Sequence, residues 1–159
     1  MAKTHLATYL NDHLAGSMTA LELLAHLKTA HQDDDLSAFL AELYANVLAD
    51  RTDLENLMAR LEVSQSRPRQ AASWLAEKMA QLKLRLDDPV GGDFNLLESF
   101  EILSLGIEGK LGLWTALQAA SSQAPTLASV DYERLKLRAA EQRRGIEERR
   151  LAVAVRALQ

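Results

Sequence analysis

Asp50 stands where a leucine is due. On a helical reading, Leu36, Leu40, Leu43, Val47, Asp50, Leu54, Leu57 and Leu61 share one stripe, so the carboxyl points at a core. A buried carboxylate without a partner is expensive, and the position therefore predicts a cation or hydrogen-bond donor facing it. Lys110, Arg51 and Arg149 are the candidates. Two chemistries follow. Asp50 with Asp53 could supply hard oxygen ligands to a metal, or Asp50 could sit in a structural ion pair in which side-chain charge replaces metal charge. The ion pair is the plainer reading.

The other residues able to do chemistry are few. All four histidines, His5, His13, His26 and His31, fall near the N-terminal end. Glu22 and His26 share a helical face at i, i+4 and could hold a metal, but that face lies opposite the apolar stripe, which makes a solvated pair the simpler account. His13 flanks the stripe one turn before Ser17 and reads as a hydrogen-bonded core histidine rather than a ligand. The absence of Cys removes disulfides, thiolate zinc sites and a cysteine nucleophile, and fits a reducing compartment. There is no Ser-His-Asp ordering, nucleophile elbow, phosphate-binding loop or dinucleotide fingerprint.

Charge narrows the partners. The net charge of −4 gives no overall footprint for nucleic acid. Residues 1–62 carry ten acidic and four basic residues, whereas 131–159 carry five acidic and eight basic. Oppositely charged helices lying side by side account for this, with a basic helix meeting an acidic partner as the sharper alternative. The run Glu147, Glu148, Arg149, Arg150 reads as a solvated face without interleaved aromatics. No stretch is apolar enough to span a bilayer and the first residues lack a signal-peptide block, so the expectation is a cytoplasmic protein with no membrane partner.

These residues need long helices to position them. The chain is rich in Leu and Ala, with 7 Gly and 3 Pro in 159 residues, which predicts an all-α fold in a single domain, 1–159. Five segments are predicted. The first covers about Thr4 to Ala30, with Leu6, Leu10, Leu14, Ser17, Leu21, Leu24 and Lys28 in one stripe. The second runs to about Val63 from a capping cluster of Asp33, Asp34, Asp35 and Ser37. A shorter one spans about Gln70 to Leu86, and the loop Asp87 to Gly92 follows it. The fourth is capped by Asp93 and extends to about Ser122, with apolar residues on two faces. The last runs from about Ala128 to Leu158, with Gln142 on its apolar side. Four helices of this length match a bundle, with the short helix as a crossover up its side; an up-and-down five-helix arrangement is the alternative.

Gly106, Gly109 and Gly112 recur every three residues inside the fourth helix. Each costs about 1 kcal/mol relative to Ala, which demands a packing reason. Close approach of another helix is the expectation, with a cavity or kink second.

Two stretches carry a family resemblance. Leu10-Asn11-Asp12-His13-Leu14-Ala15-Gly16-Ser17-Met18-Thr19-Ala20-Leu21 resembles the first helix of bacterioferritins, with Ser17 at the position of its first metal-binding Glu. Leu103-Ser104-Leu105-Gly106-Ile107-Glu108-Gly109 is similar to the third bundle helix of the ferritin-like superfamily, with Gly106 in place of its Glu. Asp50 to Asp53 and Gln142 to Gly145 occupy the regions of the two Glu-x-x-His motifs. The segment Gly106-Ile107-Glu108-Gly109-Lys110 also resembles one shared by uncharacterised bacterial ferritin-like proteins. The resemblance implies a ferritin-like four-helix bundle of long helices with an additional crossover helix. It further implies a vestigial polar site of Ser17, Asp50, Asp53, Gly106, Lys110 and Gln142 in place of the two-metal centre.

Ser is a poor ligand, Gly is none, and neither histidine is present, so the expectation is no metal, no cofactor and no catalytic residue. The leading function is a non-enzymatic interaction or structural module, expected to be a homodimer through the small-residue face of the fourth helix or an exposed apolar stripe. A metal-dependent oxidoreductase or storage protein with an altered site built from Asp50, Asp53, Glu101 or Glu108 is the competing class. A small apolar ligand in the space left by the missing Glu side chains is the third.

Overall fold

A computed structural model describes residues 2–32, 35–66, 74–85 and 92–159. The described residues are helical, without a strand: α1 (Ala2–Ala30), α2 (Ser37–Arg60), α3 (Trp74–Arg85), α4 (Gly92–Ser121) and α5 (Tyr132–Ala157), with a 3-10 turn at Pro125–Leu127. None of these helices is long and apolar enough to cross a membrane.

The stripes decide which faces are buried. On α2 the buried set is Leu40, Leu43, Val47, Asp50, Leu54, Leu57 and Met58, the face read from the sequence. On α5 it is Tyr132, Leu135, Ala139, Gln142, Ile146 and Val153. Arg149, which shares that stripe, instead lays its guanidinium 3.6 Å from the centre of the Phe39 ring. The second apolar face of α4 is only partly covered: Ile102 and Leu113 are buried, Leu105 is 44% exposed, and Ala116 is exposed.

Side-chain pairs fix the helix directions. Lys28 lies over the Tyr44 ring at one end of the α1–α2 pair and Asn11 bonds Ser64 and Ser66 at the other, so α1 and α2 are antiparallel. Asp93 bridges Arg156 and Gln118 bonds Glu133, so α4 and α5 are antiparallel. α1 also packs on α4, and α2 on α5. Phe39 meets Phe100 edge-on near the starts of α2 and α4, and Asp50 meets Lys110 eleven and ten residues later, so these two helices run the same way. The end of α2 and the start of α4 therefore lie at opposite ends of the assembly, and the segment between them travels its length. α3 belongs to that segment and buries Met79 and Leu82 in the core.

The core is divided. Leu24, Leu40, Val47, Phe100, Ile107 and Ile146 belong to one apolar cluster. Leu10, Leu54, Leu57, Leu113, Trp114 and Leu135 belong to a second. Along α2 the boundary falls between Val47 and Leu54, and along α4 between Ile107 and Leu113. Asp50 and Lys110 occupy that boundary.

Several element ends differ from the sequence reading. α2 stops at Arg60, since Val63 N–H bonds back to the Met58 carbonyl and Glu62 takes a φ of 54°. Its N-cap position is Leu36, with no side-chain capping bond, so Asp35 and Ser37 do not cap; Asp33 and Asp34 lie outside the described residues. Residues 70–73 and 86–91 lie outside them too, including the start of the third predicted helix and most of the predicted Asp87 to Gly92 loop. α4 begins at Gly92, placing Asp93 within its first turn. α5 begins at Tyr132 instead of Ala128, because Asp131 accepts the Arg134 N–H at 3.1 Å and fixes the start there.

Candidate functional site

The boundary between the two apolar clusters is a hydrogen-bonded charge network centred on Asp50, which is 2% exposed. One carboxylate oxygen, Oδ2, accepts from Lys110 Nζ at 2.5 Å and from Gln142 Nε2 at 2.8 Å. The other, Oδ1, accepts from Arg138 Nε at 2.7 Å and lies 2.6 Å from Arg138 Nη2. Arg138 Nη2 also reaches Asp53 Oδ2 at 2.5 Å, and Lys110 closes the network by donating to Gln142 Oε1 at 2.5 Å. Asp50 thus accepts three hydrogen bonds, with Arg138 Nη2 as a further close charge contact. The two carboxylates face Lys110 and Arg138 inside and the half-exposed Arg134 at the outer edge of Asp53, 3.6 Å away, so no buried charge in the network is unpaired. Burial drives the Lys110 pKa below its ordinary value, against the attraction and hydrogen bond of Asp50. The expectation of a cationic partner for Asp50 is met by Lys110, and by an arginine that the sequence reading did not name.

Arg51 and Arg149 are engaged elsewhere. Arg51 Nε donates to Glu55 at 3.1 Å and Nη1 donates to Ser17 Oγ at 3.4 Å. Arg149 stacks on Phe39 and donates to the Gly145 carbonyl at 3.1 Å. Arg138 was legible in one respect: it stands four residues before Gln142, on the same face of the last helix.

Ser17 and Gly106 do not join the network. Ser17 is half-buried, donates to the Leu14 carbonyl at 2.6 Å and accepts from Arg51. Gly106 is exposed, and a Cβ built on it meets nothing within 4 Å. The same open space surrounds Gly109 and Gly112, which overturns the expectation that another helix of this chain packs closely on them. Gly145 is the glycine that is pressed, with Phe39 Cε2 3.2 Å from its virtual Cβ.

What Ser17 and Gly106 share is a cavity. A space of about 260 Å³ opens between α1 and α4, lined by Ser17, Gly106 and Gly109 at its mouth and by Asp50 and Lys110 deeper in. Leu54, Leu103, Leu105 and Leu113 give it apolar walls, and Arg51 and His13 add polar ones. Trp114 also lines it, and its Nε1 is buried without a hydrogen-bond acceptor. His13 is half-buried with its ring edge-on to Tyr9 at 4.8 Å; burial holds its pKa below the usual value, opposed by Asp12. The small side chain of Ser17 and the bare backbone of Gly106 leave that space unfilled.

The altered metal site is not assembled. Glu101 and Glu108 are exposed, and Glu108 pairs with Arg143 at 3.2 Å. Glu22 pairs with Lys83 of α3 at 3.3 Å rather than standing with His26 around an ion. Among the described residues no three His, Asp or Glu side chains gather closely enough to hold a metal ion. The donor chemistry agrees, because Asp50 already faces two cations.

Compared with protein-family models, curated proteins and solved structures, the chain matches none of them.

Proposed function

We propose that this chain is a non-enzymatic, ferritin-like four-helix bundle, with α3 in the crossover segment, whose functional site is the small-molecule cavity between α1 and α4. The two local motifs around Ser17 and Gly106 support the family, as does the antiparallel contact of every neighbouring pair of long helices. The observation that carries the function is the contrast at one level of the fold. Asp50 is held by three hydrogen bonds from Lys110, Gln142 and Arg138, while the adjoining 260 Å³ beside Ser17 and Gly106 stays open. An arrangement serving stability alone would close that space, since interiors pack to near-crystalline density.

Native mass spectrometry of the purified chain, with elemental analysis of the same sample, tests this. The expected result is a retained or readily exchanged small organic molecule and no stoichiometric metal. Near-stoichiometric iron or manganese, with oxygen or peroxide reactivity, would establish the altered metal site instead.

A second reading, a homodimer through this face of α4, is favoured by Leu105 at 44% exposed beside the unobstructed Gly109 and Gly112. Light scattering across a dilution series decides it, and a monomer at every concentration removes it.

A further inference from the structure

The hydrogen-bond inventory of the cavity is lopsided. Asp50 already accepts three hydrogen bonds and lies against Arg138 Nη2, and Gln142 Oε1 already takes a Lys110 proton. The one Ser17 proton goes to Leu14. Donors, by contrast, are in surplus. Lys110 has three N–H groups and two acceptors, and Arg51 has five and directs two of its nitrogens at Glu55 and Ser17. Both side chains are mostly shielded, at 15% and 16% exposed. The side-chain acceptors with capacity to spare are the exposed Asp12 carboxylate at the rim, one ring nitrogen of His13 and a second lone pair on Ser17 Oγ.

Size and walls set the rest. At about 260 Å³ the space exceeds the roughly 150 Å³ that encloses benzene, and falls just short of the roughly 300 Å³ where pockets for drug-sized molecules begin. Walls of leucine and tryptophan disfavour a bare inorganic anion, which would lose its hydration against apolar surface.

Resting on the cavity reading above, we propose that the ligand is a monocarboxylate with a compact apolar body, about the size of octanoate, its head between Arg51 and Lys110 and its body against Leu103, Leu113 and Trp114. The carboxylate receives the spare Arg51 and Lys110 protons as charge-assisted hydrogen bonds, which are the stronger class. It enters past Gly16, Gly106 and Gly109, where no side chain obstructs the mouth. Asp12, exposed at that rim, is screened by solvent and opposes entry weakly.

Titration calorimetry of the full chain with sodium octanoate, 1-octanol and octylammonium tests the proposal. Octanoate is expected to bind one to one and at least about tenfold more tightly than octanol, with octylammonium weakest. Arg51→Gln should bring octanoate down towards octanol. Gly106→Leu, which fills the mouth without meeting a neighbour at its Cβ, should keep the helical circular dichroism signal and abolish binding of both. Octanol or octylammonium binding as tightly as octanoate would overturn the carboxylate assignment and leave the cavity reading standing. No binding of any of the three, or unchanged binding by Gly106→Leu, would overturn the cavity reading itself.

Discussion

Lys110 on α4 reaches Asp50 on α2 at 2.5 Å, although these helices stand diagonally across the core and make no direct backbone contact. The pair spans the interior at the level where the two apolar clusters separate. Asp50→Ala leaves Lys110 and Arg138 facing each other without their shared counter-charge. Losing one partner of a buried pair costs about 3–5 kcal/mol, and urea unfolding should show a loss at the lower end because Arg138 keeps Asp53. The double variant Asp50→Leu, Lys110→Met should lose less than the two single changes added together, since neither charge is left stranded.

Arg138 is a fork and a lysine is not. Its guanidinium ties Asp50 Oδ1 and Asp53 Oδ2 together, a geometry one ammonium cannot copy. Arg138→Lys should therefore destabilise by about 1–2 kcal/mol despite unchanged charge. In an Asp53→Asn background the cost of Arg138→Lys should shrink, which a thermodynamic cycle on these two positions would read directly.

The glycines separate into two kinds. Gly109 and Gly112 sit within α4 with nothing near their virtual Cβ atoms, so alanine there should stabilise by about 0.5–1 kcal/mol each through helix propensity alone. Gly145 faces Phe39 at 3.2 Å, so Gly145→Ala should recover less than that, or lose stability if Phe39 cannot shift under Arg149. Thermal melts of the three single variants, compared at equal concentration, give the ordering. A loss of stability at Gly109 or Gly112 would point to a close contact that this chain alone does not contain.

Much of this was legible in the sequence, and for identifiable reasons. The α2 stripe could be read because its period is strict, and Asp50 because it breaks that period. The need for a cationic partner followed from the cost of burying a carboxylate alone, with Lys110 one of three candidates beside Arg51 and Arg149. Arg138 was missed because an arginine on that face reads as a stem whose head reaches solvent, whereas its guanidinium turns inward to Asp50. The late start of α5 was missed because Ala128 and Ser129 are acceptable helix formers, and the Asp131 cap outweighs them locally. The glycine run was misread because propensity says that glycine needs a reason and cannot say whether the reason is a neighbour or a space. The cavity, lined by α1, α2 and α4, stood only as the third reading, because its walls come from three helices and no single stripe fixes its size.

His13 makes the stability of the fold respond to mild acid. Burial beside the cavity holds its pKa below 6.5, with Asp12 pulling the other way. Between the lowered folded value and 6.5, the unfolded chain binds a proton at this position that the folded chain does not, so stability rises with pH through that window. The contribution of His13 is complete above 6.5 and is lost as the pH falls through the window, because the unfolded chain gains a proton there that the buried ring does not take up. Urea midpoints measured from pH 7.5 to 5 should therefore decline. His13→Gln should flatten that part of the decline while leaving the steeper carboxylate-driven loss at lower pH in place. An identical slope in the variant would assign the decline to other groups.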